Sequence, residues 1–279
     1  MQTRTQHESL AQAHRDAMIR EQIIRDPDAA RHAIECMSGV AGAAAQQGRR
    51  RASAASFTPA DITGIAHWWR GTDVVDDGTD IVSWTNLISG RPAQTQSTPS
   101  KRTAYSVSTP TLGQPGGIAL AADKAEYRAT YATSISQPFS VVVAFSFDSL
   151  PGTYSSLIGG AGGAAGGGSW FFRREGAALQ LFAGGAPVNT TGHTNAIDTA
   201  YTAIAVLNGA SSKIRINGVS RYAGATNIGA AATGDAYLMS EAFINGFDGE
   251  FCEAMIISGD VTTGGQLADL ESYLSARYL

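Results

Sequence analysis

The chain has 279 residues, of which 43% are apolar and 16% charged, and its formal net charge is −4. That balance excludes a basic nucleic-acid binder, whose charge must neutralise phosphates, and a coiled-coil rod, which needs far more Glu and Lys. Two cysteines, Cys36 and Cys252, exclude a disulfide scaffold, and 10 Phe, 9 Tyr and 4 Trp exclude wholesale disorder.

The first 56 residues differ from the rest. They carry 14 charged residues with a net charge of +2 and no aromatic residue before Phe57. Without aromatics a segment has little from which to build its own core. Residues 1–38 read as a helical arm. Thr5-Gln6-His7-Glu8 fits a capping box. Asp16/Arg20 and Glu21/Arg25 are spaced to pair on one helix surface. Asp26-Pro27 marks the start of a second helix and Gly39 its stop. The apolar residues Leu10, Met18, Ile19, Ile23, Ile24, Ile34 and Met37 are too few for independent burial, so this arm is expected to need a partner. Residues 39–56, rich in Gly, Ala and Ser, read as a flexible linker. Arg49-Arg50-Arg51 reads as a solvated charge run, because three charges give little affinity for nucleic acid at physiological salt.

From residue 57 to 279 the pattern is β. Twelve segments are predicted as strands: 66–71, 80–85, 117–121, 126–131, 139–147, 155–159, 169–174, 178–183, 201–208, 212–217, 236–240 and 248–258. They are rich in Val, Ile, Thr, Tyr and Phe and are separated by Gly, Asn, Asp and Ser turns. Asp77-Gly78 and Asn217-Gly218 are hairpin dipeptides. LQLF (179–182) and KIRI (213–216) alternate as strands wet on one face do. Many strands without helical spacers predict a mainly β fold, an antiparallel β-sandwich or jelly roll. Thr263 to Gln266 should cap a closing helix, whose stripe of Leu267, Leu270, Leu274 and Tyr278 should pack on the strands. Trp68 and Trp69 are neighbours on one strand, so one of them should face solvent, the arm or a partner subunit.

The order of these features resembles a known family. FTPADITGIAHWWRGTDVVDDGTDIVSWTNLISG (57–90), PFSVVVAFSF (138–147), SSLIGG (155–160), YTAIAVLNGASSKIRINGV (201–219) and GFDGEFCEAMIISGDVTTGGQLADLESYLSARYL (246–279) are similar to concanavalin A-like, laminin-G-like jelly rolls of phage and bacterial surface proteins. The resemblance implies a non-enzymatic bacteriophage virion structural protein, a tail or capsid appendage. Its arm would dock on capsid, portal or tail proteins through Leu10, Met18, Ile19, Ile23 and Ile24. Its jelly roll would be displayed for host-surface attachment, and copies would form a homo-oligomer. No signal peptide and no apolar run of membrane-spanning length are visible. The expectation is therefore synthesis in the host cytoplasm, assembly into the virion, no membrane insertion and no specific nucleic acid. The alternative is a carbohydrate-binding, lectin-like module, and a third reading is a glycan hydrolase.

The residues that could carry chemistry are few. Asp248, Glu250 and Glu253 fall within six residues, and strand alternation would put Asp248 and Glu250 on one face near the spacing of a retaining glycosidase. The order D-x-E-x-x-E departs from the E-x-D-x-x-E of the hydrolases it resembles, so the expectation is a strand with a structural Glu253 and no catalytic residue. Asp73, Asp76, Asp77 and Asp80 crowd one turn and are weak candidates for calcium. Hairpin chemistry explains them better, and no cofactor is expected. The five His residues show no metal-ligand spacing. The Gly-rich run 159–168 leads into SWFFRRE, a strand, and so reads as a loop rather than a phosphate cradle. Cys252 reads as a small buried hydrophobe. Tyr154, Trp170 and Tyr222 sit near predicted loops and are the candidates for stacking a sugar.

Overall fold

The computed structural model describes residues 57–120, 125–150, 154–160, 169–240 and 246–279. The expected arm (1–38), its Leu10, Met18, Ile19, Ile23 and Ile24, the linker (39–56), Cys36, and residues 161–168 of the Gly-rich run lie outside the described residues.

The described residues form sixteen strands and one long helix. The strands are β1 (Ile65–Asp76), β2 (Ile81–Asn86), β3 (Gln94–Thr95), β4 (Ala104–Ser106), β5 (Gly116–Ala119), β6 (Tyr127–Ile135), β7 (Phe139–Phe147), β8 (Tyr154–Gly160), β9 (Trp170–Glu175), β10 (Ala178–Phe182), β11 (Val188–Asn189), β12 (Tyr201–Leu207), β13 (Lys213–Ile216), β14 (Val219–Ala223), β15 (Thr233–Leu238) and β16 (Gly249–Ser258). The helix is α1 (Gln266–Tyr278). The expectation of a mainly β, antiparallel fold with a C-terminal helix is met. The strands, however, pair as one sheet, because β1 and β2 join what would otherwise be two halves. Its path is β11-β10-β9-β8-β15-β6-β3-β2-β1-β16-β7-β12-β13-β14, with β5 on β16 and β4 on β5. The path nearly closes. The Thr191 N–H donates to the Arg221 carbonyl at 2.8 Å, and the Arg221 guanidinium donates back to the Gly192 carbonyl at 2.5 Å. The loop after β11 is thereby tied to β14 at the opposite end.

Alternation assigns the two faces. Leu179, Leu181, Ile214 and Ile216 point inward to a single core with Trp69, Trp84, Tyr127, Phe145, Phe172 and Phe251. In β7 every residue is buried, since Val141, Val143 and Phe145 serve that core while Val142 and Ala144 face a second cluster under α1. Leu270, Leu274 and Tyr278 supply the helix side of that cluster, as the apolar stripe predicts. Each such side chain contributes about 1.5–3 kcal/mol when fully buried. Lys213 and Arg215, on the outer face of β13, tie Asp260 (2.8 Å) and Glu271 (2.6 Å) near and on the helix. The helix start departs from expectation. Gly265 is the N-cap and makes no side-chain cap bond. Gln266 instead bonds the Thr63 N–H and the Asp61 carbonyl, each at 3.2 Å.

The Trp pair requires a correction. Trp69 faces the core, but Trp68 faces neither solvent nor a partner. It is 7% exposed, buried in the cluster beneath α1, because the chain's own helix covers the outside of β1. Four strands absent from the prediction, β3, β4, β11 and β14, have five residues or fewer and no clear period. β14 nonetheless follows from the Asn217-Gly218 hairpin, where φ is +48° and +76° and Ile216 pairs Val219.

His67 lies on the core side of β1, stacked between Trp69 (5.3 Å) and Tyr131 (3.8 Å), its Nδ1 accepting from the Asn86 amide at 2.9 Å. Burial, aided by the positive Arg91, pushes its pKa down to about 4. A group depressed in the folded state adds stability above its unfolded value of 6.5 and loses it as the pH falls toward 4. The melting temperature of the wild type should therefore drop across that window. In His67→Phe, which keeps the stack and cannot titrate, thermal denaturation at stepped pH should show a shallower drop.

Candidate functional site

The acids of β16 are already committed to structural bonds. Glu250 is 1% exposed and accepts the backbone N–H groups of Thr111 (2.7 Å) and Leu112 (2.8 Å), which pins the loop before β5. Asp248 precedes the strand and accepts from the Ser149 hydroxyl. A β-bulge between Phe251 and Glu253 breaks the register with β7, so Cys252 and Glu253 both turn toward the helix side. Glu253 is fully buried. It accepts from Trp68 Nε1, from the Tyr278 hydroxyl at 2.5 Å and from the Tyr273 hydroxyl at 3.0 Å. This is the structural Glu253 that the sequence suggested. The pairing of Asp248 with Glu250 in one open site does not occur. Cys252 is buried, and burial raises its thiol to about 12.

The aspartate turn between β1 and β2 is hairpin chemistry. Asp77 Oδ1 accepts the N–H of Asp80 (2.9 Å) and of Thr79 (3.3 Å), and its Oδ2 pairs Arg102 at 2.9 Å. These bonds hold its carboxyl below the usual value. Asp76 accepts from the Gly78 N–H, and Asp73 pairs Arg70. Asp80 supplies its own N–H to this turn. Among the described residues no group of three or more His, Cys, Asp or Glu is placed to hold a metal ion.

The three aromatic candidates are not brought together. Trp170 is 1% exposed and packs edge-on against Phe139 at 5.3 Å, so it is core and not a sugar platform. Tyr222 is half-buried against the main core, opposite Ile214. Tyr154 alone lies on the outer face of the sheet, with an organised set of neighbours. The Arg173 guanidinium is stacked between the rings of Tyr154 (3.8 Å) and Phe171 (4.0 Å) and donates to Gln180 at 3.0 and 2.8 Å. Phe182 stacks on Phe171 at 4.7 Å. Glu175 accepts from Tyr154 (3.3 Å), Asn189 (3.0 Å) and Gln180.

A polar cleft of about 490 Å³ opens on the same outer face. Thr95, Gln96, Ser97, Thr98, Lys101, Glu126, Arg128 and Thr130 line it. Glu126, Arg128 and Thr130 alternate with inward-facing Tyr127, Ala129 and Tyr131. The wall is the segment from Gln96 to Lys101. Gln96 holds it in place by donating to the Glu126 carbonyl at 2.5 Å and accepting the Thr98 N–H at 2.8 Å. On the neighbouring strand Asp235 accepts from Arg128 (3.2 Å) and Tyr237 (3.0 Å), and Arg128 lies over the Tyr237 ring. Burial and the nearby Asp235 raise the Tyr237 hydroxyl to about 12, so it stays protonated and donating at neutral pH. The sequence carries the signal for this cleft: the polar positions of EYRATY (126–131) fall at period two within a predicted strand.

No protein-family model and no curated protein sequence matches the chain. Solved structures match its fold. The sialidase of Trypanosoma rangeli superposes with a TM-score of 0.51 at 10% identity, over 87% of this chain and 38% of that chain. Domain 4 of AbnA, a GH43 extracellular arabinanase from Geobacillus stearothermophilus in complex with arabinotriose, superposes with a TM-score of 0.53 at 12% identity, over 77% of this chain and 98% of that domain. The chain thus spans well under half the length of the sialidase and nearly the whole of the arabinanase domain. These neighbours overturn the expectation of a non-enzymatic virion structural protein, and with it the expectation that the protein is no enzyme. The fold is one that carbohydrate-active proteins carry. The resemblance to virion appendages holds only as far as a β-rich architecture.

Replacing Glu253 tests the network on β16. Glu253→Ala leaves two buried donors, Trp68 and Tyr278, and the half-buried Tyr273 hydroxyl without this acceptor and should cost about 3 kcal/mol. Glu253→Gln keeps an acceptor and should cost less. Burial holds the Glu253 carboxyl above its ordinary 4.5, so the wild type should lose stability relative to Glu253→Gln as the pH rises past that value. Urea unfolding at pH 4 and pH 7 measures both effects.

Proposed function

We propose that residues 57–279 form a carbohydrate-recognition domain of a glycan-active protein, binding sugar in the cleft between the 96–101 segment and β6. We further infer that the strand path is that of a concanavalin A-like jelly roll. The observation that carries the functional reading is the composition of the cleft. Thr95, Ser97, Thr98 and Thr130 with their hydroxyls, Lys101 with its ammonium and Arg128 with its guanidinium line a volume that suits one or two sugar rings, beside Glu126, whose buried carboxylate accepts from the Ser240 hydroxyl at 3.2 Å. Sugar hydroxyls both donate and accept, and this lining supplies both kinds of partner. Gln96 and Asp235 hold the wall and the floor in fixed positions, which lowers the ordering cost of binding. The arabinotriose bound by the arabinanase domain of like fold supports the reading.

A second reading, hydrolysis, is favoured by the two carboxylates beside that cleft, Glu126 and Asp235, both at most 6% exposed. The Glu250 and Glu253 pair does not serve it, since neither lines the cleft: Glu250 is bound to the backbone of Thr111 and Leu112 and Glu253 lies beneath the helix.

Titration calorimetry with arabino-oligosaccharides and sialyllactose tests recognition. Lys101→Ala and Thr130→Val should each weaken binding about tenfold, roughly 1.4 kcal/mol, without lowering the melting temperature. Unchanged affinity in both variants would sink the cleft assignment. Reducing-end assays on the same sugars read hydrolysis. Release that stops in Glu126→Gln and Asp235→Asn would establish it, and no release would leave recognition alone.

A further inference from the structure

The Tyr154 platform lies on the same outer face as the cleft and is locked in the same manner. The register fixes their relation. Arg128 of β6 pairs Tyr237 of β15, Tyr237 pairs Gly159 of β8, Gly159 pairs Phe171 of β9, and Phe171 pairs Phe182 of β10. Directly opposed residues point to one side of a sheet, so all five positions share the face that carries the cleft. Four strand spacings separate β6 from β10, roughly 19 Å, which is several times the width of a sugar ring. Phe171 and Tyr237, in between, are 7% and 5% exposed. Tyr154, Arg173, Glu175 and Phe182 are half-buried and Asn189 is exposed. Contact with a ligand therefore concentrates at the two ends.

We propose that the Tyr154–Arg173–Phe182 platform is a second sugar-contact surface, and that the natural ligand is an extended oligosaccharide or polysaccharide crossing the strands from cleft to platform. This rests on the glycan reading of the cleft and names the substrate class. Three properties of the platform carry it. Two partly exposed rings, Tyr154 and Phe182, offer the flat apolar surface on which the C–H face of a sugar stacks. Glu175 and Asn189 lie at the rim beside them, with unused acceptor and donor capacity for hydroxyls. The rotamers are fixed in advance by the guanidinium sandwich and the Gln180 bonds, so little side-chain entropy is lost on binding.

The test is the length dependence of affinity. Arabino-oligosaccharides of increasing length, from the dimer to the octamer, are titrated into the wild type, Tyr154→Ala and Lys101→Ala. Expected for the wild type is an affinity that rises at least tenfold between the shortest and longest sugars. In Tyr154→Ala the long sugars should bind no better than the short ones, while the short ones keep wild-type affinity. Phe182→Leu, which preserves apolar packing on Phe171, should show the same loss of the length effect, and it serves should Tyr154→Ala unfold. Affinity independent of length in the wild type would overturn this inference while leaving the cleft standing. So would a Tyr154→Ala variant that weakens short and long sugars alike. No binding at any length would overturn the glycan reading and this inference together.

Discussion

The carboxylate of Glu253 is the point on which the architecture depends. A buried charge is costly unless its lone pairs are satisfied. Here an indole from β1 and two phenols from α1 satisfy them. The same bonds fasten the first strand, the last strand and the closing helix of the domain to one another. The bulge at Phe251–Glu253 makes this possible, since regular alternation would have turned Glu253 into the main core among Phe145 and Trp84. With the helix fixed in place, Trp68, Met255 and Val142 acquire a cover, and the central strands β7 and β16 are buried on both faces.

The helix covers one face of the sheet at β1, β16, β7 and β12, and leaves the outer face at β6, β15, β8, β9 and β10 without such a cover. There the alternating pattern places charged and hydroxylated residues among aromatics instead of the uniform apolar set of the core. The polar groups are paired with one another: Arg128 with Asp235, Arg173 with Gln180, Glu175 with Asn189. Such pairing keeps the surface ordered before any ligand arrives. It also explains why neither the cleft nor the platform depends on the acids of β16, which a search for carboxylate pairs singles out first.

Much of the fold was legible in the sequence, and the reason is periodicity. LQLF and KIRI alternate as read, β7 and the C-terminal helix are where their patterns put them, and Asn217-Gly218 makes the turn its chemistry requires. The illegible parts lack a local signal. β3 and β11 have two residues each and exist because longer neighbours offer open edges. Trp68 was misplaced because the helix that buries it is some two hundred residues away in the chain. The union of the strands into one sheet depends on pairings such as β1 with β16, which no local pattern reports. Tyr154 and Trp170 read alike in the sequence, since both lie at strand ends and only inward or outward direction separates them. The cleft was within reach. The strand carrying Glu126, Arg128 and Thr130 is predicted from its alternation, but alternation does not report the 96–101 segment that forms the opposite wall.

The order of the strands in the sheet bears on how the chain acquires its shape. β1 lies against β16, most of the domain's length away in the chain, and β6 and β8 flank β15 across a long intervening stretch. Topologies of this kind have high contact order and fold slowly, because distant segments must meet before their contacts compensate the lost entropy. A nascent chain emerging from the ribosome has no partner for the far edge of β1 until β16 has been made. Completion of the domain therefore waits for β16, and a chain cut before β16 would leave an open, aggregation-prone seam rather than a smaller working protein.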